Sequence, residues 1–176
     1  DAMLGRLARW LRLLGFDTWF GNDPGDDALA EISRRGRRIL LSRDRALLER
    51  PAVTHGLFIP GTRPRGQLRW VVERLDLYRL ARPFSRCMPC NGRLEMVTAE
   101  QVRGRVPARV LALFEDFWRC RGCGRVYWRG SHYARLRAFV DRLTGAGEAP
   151  SGPVSAAARP GHQGGPGGRG WGPWGD

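Results

Sequence analysis

The sequence predicts an α/β fold, a parallel sheet flanked by helices, followed by a four-cysteine module and an unstructured tail. Three observations carry that reading. Through residues 1–80, short apolar, β-prone runs alternate with amphipathic helical stretches, the pattern of a parallel α/β sheet. Two CxxC pairs, Cys87–Cys90 and Cys120–Cys123, stand in residues 81–144. Residues 145–176 hold 11 Gly and 5 Pro in 32 positions, with Val154, Trp171 and Trp174 as the large apolar groups, so nothing there offsets the entropy of ordering the chain. These stretches are the expected domains: 1–80, 81–144 and a disordered 145–176. The tryptophans at Gly170–Gly172 and Pro173–Trp174 read either as incidental or as a short docking element.

In the first stretch, Leu4, Leu7, Leu11 and Leu14 recur at helical spacing and Gly15 stops the helix. Phe16–Phe20 reads as a strand. Asp26 or Asp27 is expected to cap a second helix with Leu29 and Ile32 inward and Gly36 at its end. Arg38–Ser42, built on Ile39, Leu40 and Leu41, reads as a buried strand, and Arg45–Arg50 as a helix stopped by Pro51. Gly56–Ile59 is a further strand, and Gln67–Leu77 a helix with Leu68, Val71, Val72 and Leu75 inward. The unit opens on a helix, so the first strand, expected ahead of Asp1, lies outside this chain.

The second stretch is built differently. Thr98–Gln101 has capping-box spacing, and Pro107 suits the first turn of a helix. Phe117–Arg119 and Arg125–Arg129 read as strands on either side of the second cysteine pair. Ser131 is expected to cap a last helix with Tyr133, Leu136, Val140 and Leu143 on one face. No internal repeat is present.

Composition narrows the function classes. With 42% hydrophobic residues in 176, the chain supports a core, which excludes wholesale disorder. No run approaches 18 apolar residues and no signal-peptide core opens the sequence, so a cytoplasmic protein without a membrane partner is expected. The net charge of +13 points to a polyanion, most commonly nucleic acid. All 30 basic residues are Arg, which reflects a compositional bias but also favours phosphate, because the guanidinium fork is planar and always charged. The charge is uneven: 15 Arg against 10 acids in residues 1–80 (+5), 13 against 5 in 81–144 (+8), and two of each in the tail.

The cysteines are too few and too clustered for a disulfide scaffold. Two CxxC pairs supply the four thiolates of a closed structural zinc site formed by Cys87, Cys90, Cys120 and Cys123. Asn91-Gly92 and Gly124 follow the pairs, where a knuckle must turn tightly and free backbone N–H groups toward sulfur. The 29 residues between Cys90 and Cys120 form an insert. A redox CxxC is the alternative, but it leaves the matched second pair unexplained. Loss of Cys120 is expected to unfold residues 86–130 and spare the first 80.

Three aspartates fall at the carboxyl edge of the expected strands, where α/β proteins build their sites: Asp1 before the first helix, Asp26 at the second and Asp44 at the third. Carboxylates converging there repel one another unless a hard divalent cation, Mg2+ or Mn2+, sits between them and activates a water. Each also reads as a plain helix cap, and Asp23 and Asp27 are weaker neighbours.

Asp1–Arg12 (DAMLGRLARWLR), Leu40–Arg45 (LLSRDR), the two CxxC pairs and Tyr127–His132 (YWRGSH) together resemble the Mut-seven C-terminal RNase domain family over Asp1 to about Leu143. That resemblance implies a PIN-like nuclease fold bearing a zinc ribbon. It further implies a metal-dependent ribonuclease site using Asp1, Asp26 and Asp44, with Ser42 where PIN-like proteins often carry Thr. The serine keeps the hydroxyl.

Other side chains carry more than one reading. Arg6, Arg9 and Arg12 either contact phosphate or solvate the outer face of their helix; Arg43 and Arg45 flank Asp44 and are placed to bind substrate. RNA is expected to be held mainly by the ribbon's Arg119, Arg121, Arg125 and Arg129, with Arg121 and Arg125 the principal contacts. His132 reads as an acid–base or RNA contact or as part of the ribbon–helix junction. Trp118, Tyr127 and Trp128 read as base-stacking groups or as packing. His55 carries no functional expectation. The expected function is a divalent-metal-dependent ribonuclease with a structural zinc ribbon. The rivals are a non-catalytic RNA-binding module and a protein-interaction adaptor.

Overall fold

The computed structural model describes residues 4–21 and 25–145. Expectations resting on Asp1, on Asp23 and on the tail from 146 onward therefore fall outside the described residues. The chain divides into two compact units: residues 1–96 with 119–124, and residues 97–118 with 125–176. Both cysteine pairs fall in the first.

In the first unit, α1 (Gly5–Leu13) buries Leu7, Ala8 and Leu11 and packs on α4 (Pro64–Arg74), whose Leu68, Val71 and Val72 are almost wholly buried. Gly15 ends α1 at φ +91, and a Cβ there would lie 2.2 Å from the Arg82 carbonyl oxygen, so the chain can pass only with glycine. Next come α2 (Asp26–Gly36), β1 (Leu40–Ser42), α3 (Arg45–Leu48) and β2 (Gly56–Phe58). Strands β1 and β2 pair in parallel with Leu41 opposite Leu57, as the alternation of runs requires. Leu29, Leu40 and Leu47 tie α2, β1 and α3 into one apolar cluster.

Three local expectations change. Phe16–Phe20 is not a strand: an extended segment needs a ladder partner, and this one faces β1 across an apolar cavity of about 350 Å3 lined by Leu7, Leu11, Phe20, Ile32, Leu40 and Val71. Gly25 is the N-cap of α2, with Asp26 and Asp27 in its first turn. Gly130, not Ser131, caps the last helix.

Beyond a short 3-10 turn at Tyr78–Leu80, β3 (Leu94–Val97), β4 (Phe117–Cys120) and β5 (Val126–Trp128) form a second sheet in that order. In the second unit, Val97, Val102, Val106, Val110, Phe117 and Val126 make the core. Helices α5 (Ala108–Leu113) and α6 (Ser131–Thr144) flank it in sequence; α6 buries Val140 fully. Thr98 and Gln101 exchange the expected bonds, Gln101 Oε1 accepting from the Thr98 N–H (2.9 Å) and Thr98 Oγ1 from the Gln101 N–H (3.4 Å).

Candidate functional site

The four cysteine sulfurs lie within 4.8 Å of one another. Cys87 Sγ stands 3.6 Å from Cys123 Sγ, and Cys90 Sγ 3.3 Å from Cys120 Sγ. These separations exceed the roughly 2.05 Å of a disulfide. They sit close to the ~3.8 Å that four ligands at about 2.3 Å around one zinc impose. The two knuckles are built alike. The Asn91 N–H donates to the Cys87 carbonyl (2.8 Å) and the Gly124 N–H to the Cys120 carbonyl (2.9 Å). Asn91 and Gly124 occupy the same left-handed region, at φ +68 and +71. Backbone N–H groups turn inward as the motif requires: Gly92 to Cys90 Sγ at 3.5 Å, Gly122 and Cys123 to Cys120 Sγ at 3.3 and 3.5 Å. A Cβ on Gly92 would lie 2.7 Å from Cys120 Sγ. Burial works against thiolate formation at Cys90, but the Gly92 N–H and the other three sulfurs outweigh it and bring the thiol down to about 7. Burial pushes Cys120 up. The donor set therefore fits a soft, tetrahedral ion such as zinc.

The carboxyl edge of β1 is assembled by local hydrogen bonds. Ser42 is fully buried, and its Oγ accepts the Asp44 N–H at 3.0 Å. Asp44 then caps α3 with one oxygen: Oδ1 accepts the N–H groups of Ala46 (2.8 Å) and Leu47 (3.2 Å), and Oδ2 makes no hydrogen bond among the described residues. Asp26 Oδ2 meets Arg50 Nη2 at 3.2 Å, while Arg50 Nη1 reaches Asp27 Oδ1 at 2.5 Å. Asp44 thus opens α3 and Arg50, just past its end, holds the first turn of α2. Arg45 stacks over the Phe58 ring at 4.1 Å. Arg43 is half-buried and Arg6 lies exposed on α1. Among the described residues the cysteines are the cluster close enough to hold a metal.

The model of the Mut7-C RNAse domain family matches residues 1–140. The chain belongs to that family. No curated protein and no solved structure matches this Mut7-C chain. The family is one of nucleases by its description, and among the described residues no helix is long and apolar enough to cross a membrane.

The arginines around the second cysteine pair of this Mut7-C domain are less free than their number suggests. Glu95 accepts Arg119 Nη2 at 2.9 Å and Arg121 Nε at 2.8 Å, and these two cations hold its carboxyl below the usual range. Arg129 pairs with Asp116 at 3.4 Å and lies over the Trp118 ring at 5.2 Å. Arg125 is exposed and outside these ion pairs. Tyr127 is completely buried and Trp128 packs against the core, so both read as packing. His132 is half-buried in the first turn of α6.

Sequence reasoning missed a second set. Arg12 points inward, 5% exposed, where solvation or phosphate contact was expected. Its signal was available: it follows Ala8 by four residues and so lies on the buried face of α1. Asp17, Asn91 and Arg50 carry contacts between segments far apart in sequence, and no local pattern announces such contacts.

Proposed function

We propose that this chain is a divalent-metal-dependent ribonuclease with a PIN-like α/β unit, in which Asp1, Asp26 and Asp44 hold Mg2+ or Mn2+ and the four cysteines hold a structural zinc. The match to an RNase domain family over residues 1–140 carries the reading. It is supported by the half-used carboxylate of Asp44, whose Oδ2 has no hydrogen bond among the described residues after Oδ1 has capped α3. Ser42 Oγ anchors the Asp44 backbone and so fixes where that oxygen points. A bound divalent ion supplies a water of lowered pKa and neutralises charge on the scissile phosphate. Arg50 already balances Asp26 and Asp27. Arg6, Arg43 and Arg45 bind RNA phosphates beside the site, and Arg121 and Arg125 bind them on the ribbon. RNA is thereby the partner, and zinc holds structure because four thiolates leave no open position.

One observation favours a second reading. Asp44 and Asp26 both have protein partners, as caps and ion pairs in a non-catalytic RNA-binding module do. Asp44→Asn separates the two, because asparagine caps as well as aspartate but removes the charge. The ribonuclease reading expects Mg2+- or Mn2+-dependent cleavage of RNA by the parent chain and its loss in Asp44→Asn at unchanged melting temperature. Equal cleavage by both proteins refutes the catalytic role of Asp44.

A further inference from the structure

Among the described residues Arg12 is the buried guanidinium of the first unit, and two of its three nitrogens hold backbone carbonyls. Nη1 donates to the carbonyls of Met88 (3.0 Å) and Pro89 (2.8 Å), and Nε donates to the Thr18 carbonyl (2.9 Å). Met88 and Pro89 are the two residues between Cys87 and Cys90. Holding both carbonyls fixes the Met88–Pro89 and Pro89–Cys90 peptide planes, which lead into the turn where the Gly92 N–H meets Cys90 Sγ. A second tie runs parallel to it: Asn91 Oδ1 accepts the Thr18 N–H at 3.1 Å and Asn91 Nδ2 donates to Asp17 Oδ1 at 2.6 Å. Among the described residues the second knuckle has no such clamp; it is held through the Arg121 N–H on the Arg93 carbonyl at 3.0 Å.

Charge adds to geometry. A divalent ion on four thiolates leaves a net charge of about −2 in a partly buried place, which is costly unless cations stand nearby. Burial, with Arg9 beside it, lowers the pKa of Arg12, and the nearby Cys90, Cys87 and Asp17 oppose that shift without cancelling it. An arginine is well suited to such a place, since its charge survives burial and its donors are set in one plane.

From these contacts we infer that Arg12 is the positioning residue of the four-cysteine centre: it locks the Cys87–Cys90 knuckle in its ligating shape and supplies the counter-charge to the thiolates. The inference rests on the zinc reading above, and groups around a metal's ligands commonly set affinity by about 10–100-fold. The test uses the full chain loaded with zinc. Zinc content is measured by elemental analysis, and release is timed with a chromogenic chelator in the parent, Arg12→Met, Arg12→Lys and Val71→Ala. Val71→Ala removes core volume from the same unit without touching the knuckle and controls for general destabilisation. Arg12→Met is expected to release zinc at least about tenfold faster than the parent. Arg12→Lys, which keeps the charge but loses the fork, is expected to fall between them and covers the case in which the methionine variant does not fold. Val71→Ala is expected to melt earlier yet release zinc at the parental rate. Parental release rates in both Arg12 variants overturn the role of Arg12 and leave the zinc site standing. Equal acceleration in Val71→Ala reduces the effect to general stability and overturns it too. A parent chain without zinc removes the metal reading itself, and this inference with it.

Discussion

Asp17 receives Asn91 Nδ2 at 2.6 Å and Arg38 Nη2 at 2.8 Å, with Arg86 Nη1 at 3.9 Å. The Asn91 hydrogen bond, helped by Arg38 and opposed by partial burial, holds its carboxyl below the ordinary aspartate value. A folded pKa below the unfolded one means that the charged form stabilises the fold. That contribution is complete above the ordinary aspartate range and is lost as pH falls through the lowered value. Asp17→Asn is therefore expected to lower the melting temperature at pH 7 by roughly 2–4 °C, the equivalent of about 1 kcal/mol for a half-exposed group in a chain of this size. The gap to the parent should close in scans at successively lower pH. Gly92 is a residue of another kind, fixed by space. Gly92→Ala puts a methyl 2.7 Å from Cys120 Sγ, so its zinc content, read by elemental analysis, is expected to fall well below the parent's.

At the scale of elements, α3 depends on one side chain. The four-residue helix Arg45–Leu48 has few internal hydrogen bonds, and Asp44 satisfies two of its first N–H groups. Asp44→Ala is expected to cost about 1 kcal/mol, visible in urea denaturation, whereas Asp44→Asn costs little. The element that reads most clearly from sequence is α1, whose leucine spacing and terminal Gly15 both survive in the structure. Phe16–Phe20 reads as a strand because β-propensity reports a pleated, half-buried surface, and that segment has the surface without the hydrogen-bonded neighbour. The caps of α2 and α6 fall on Gly25 and Gly130, just ahead of the expected Asp26 or Asp27 and Ser131, since glycine at an N-cap costs only roughly a few tenths of a kcal/mol against those residues.

For the whole molecule, the clustering of the four cysteines was legible because their spacing is local, and the ties that hold them were not. Sequence order groups the knuckles with the residues after 80, but contacts place them in the unit of α1. Arg12, Asn91 and the Arg82 and Phe84 N–H groups, which donate to the Leu14 and Leu13 carbonyls at 2.9 Å, make one body of both. If the proposed zinc is bound, its chelation is therefore expected to expose α1 and residues 16–19 to hydrogen exchange together with the knuckles, rather than sparing the first 80 residues. Charge also redistributes once the fold is known. Glu95 occupies Arg119 and Arg121, and Asp116 occupies Arg129. Arg125→Ala is thus expected to reduce the salt slope of RNA binding by about one, with Arg121→Ala the smaller effect. Binding measured across a salt series checks the order, and removal of the tail after Thr144 should leave both slopes alone.

The Asn91-Gly92 step has a chemical lifetime. In a loose chain, an Asn-Gly pair cyclises when the glycine nitrogen attacks the asparagine side-chain carbonyl carbon and expels ammonia; water then opens the ring to aspartate or isoaspartate. Here the Gly92 N–H is turned toward Cys90 Sγ at 3.5 Å and the Asn91 amide is held by Thr18 and Asp17. Both reacting groups are thereby engaged in other hydrogen bonds, which must break before the ring can close. Once formed, the product would set a new carboxylate against Asp17 and break the tie to the first knuckle. Intact knuckles therefore slow ageing at this bond, and a chain stripped of its metal is expected to accumulate isoaspartate at position 91 faster on storage, a difference that peptide mapping resolves.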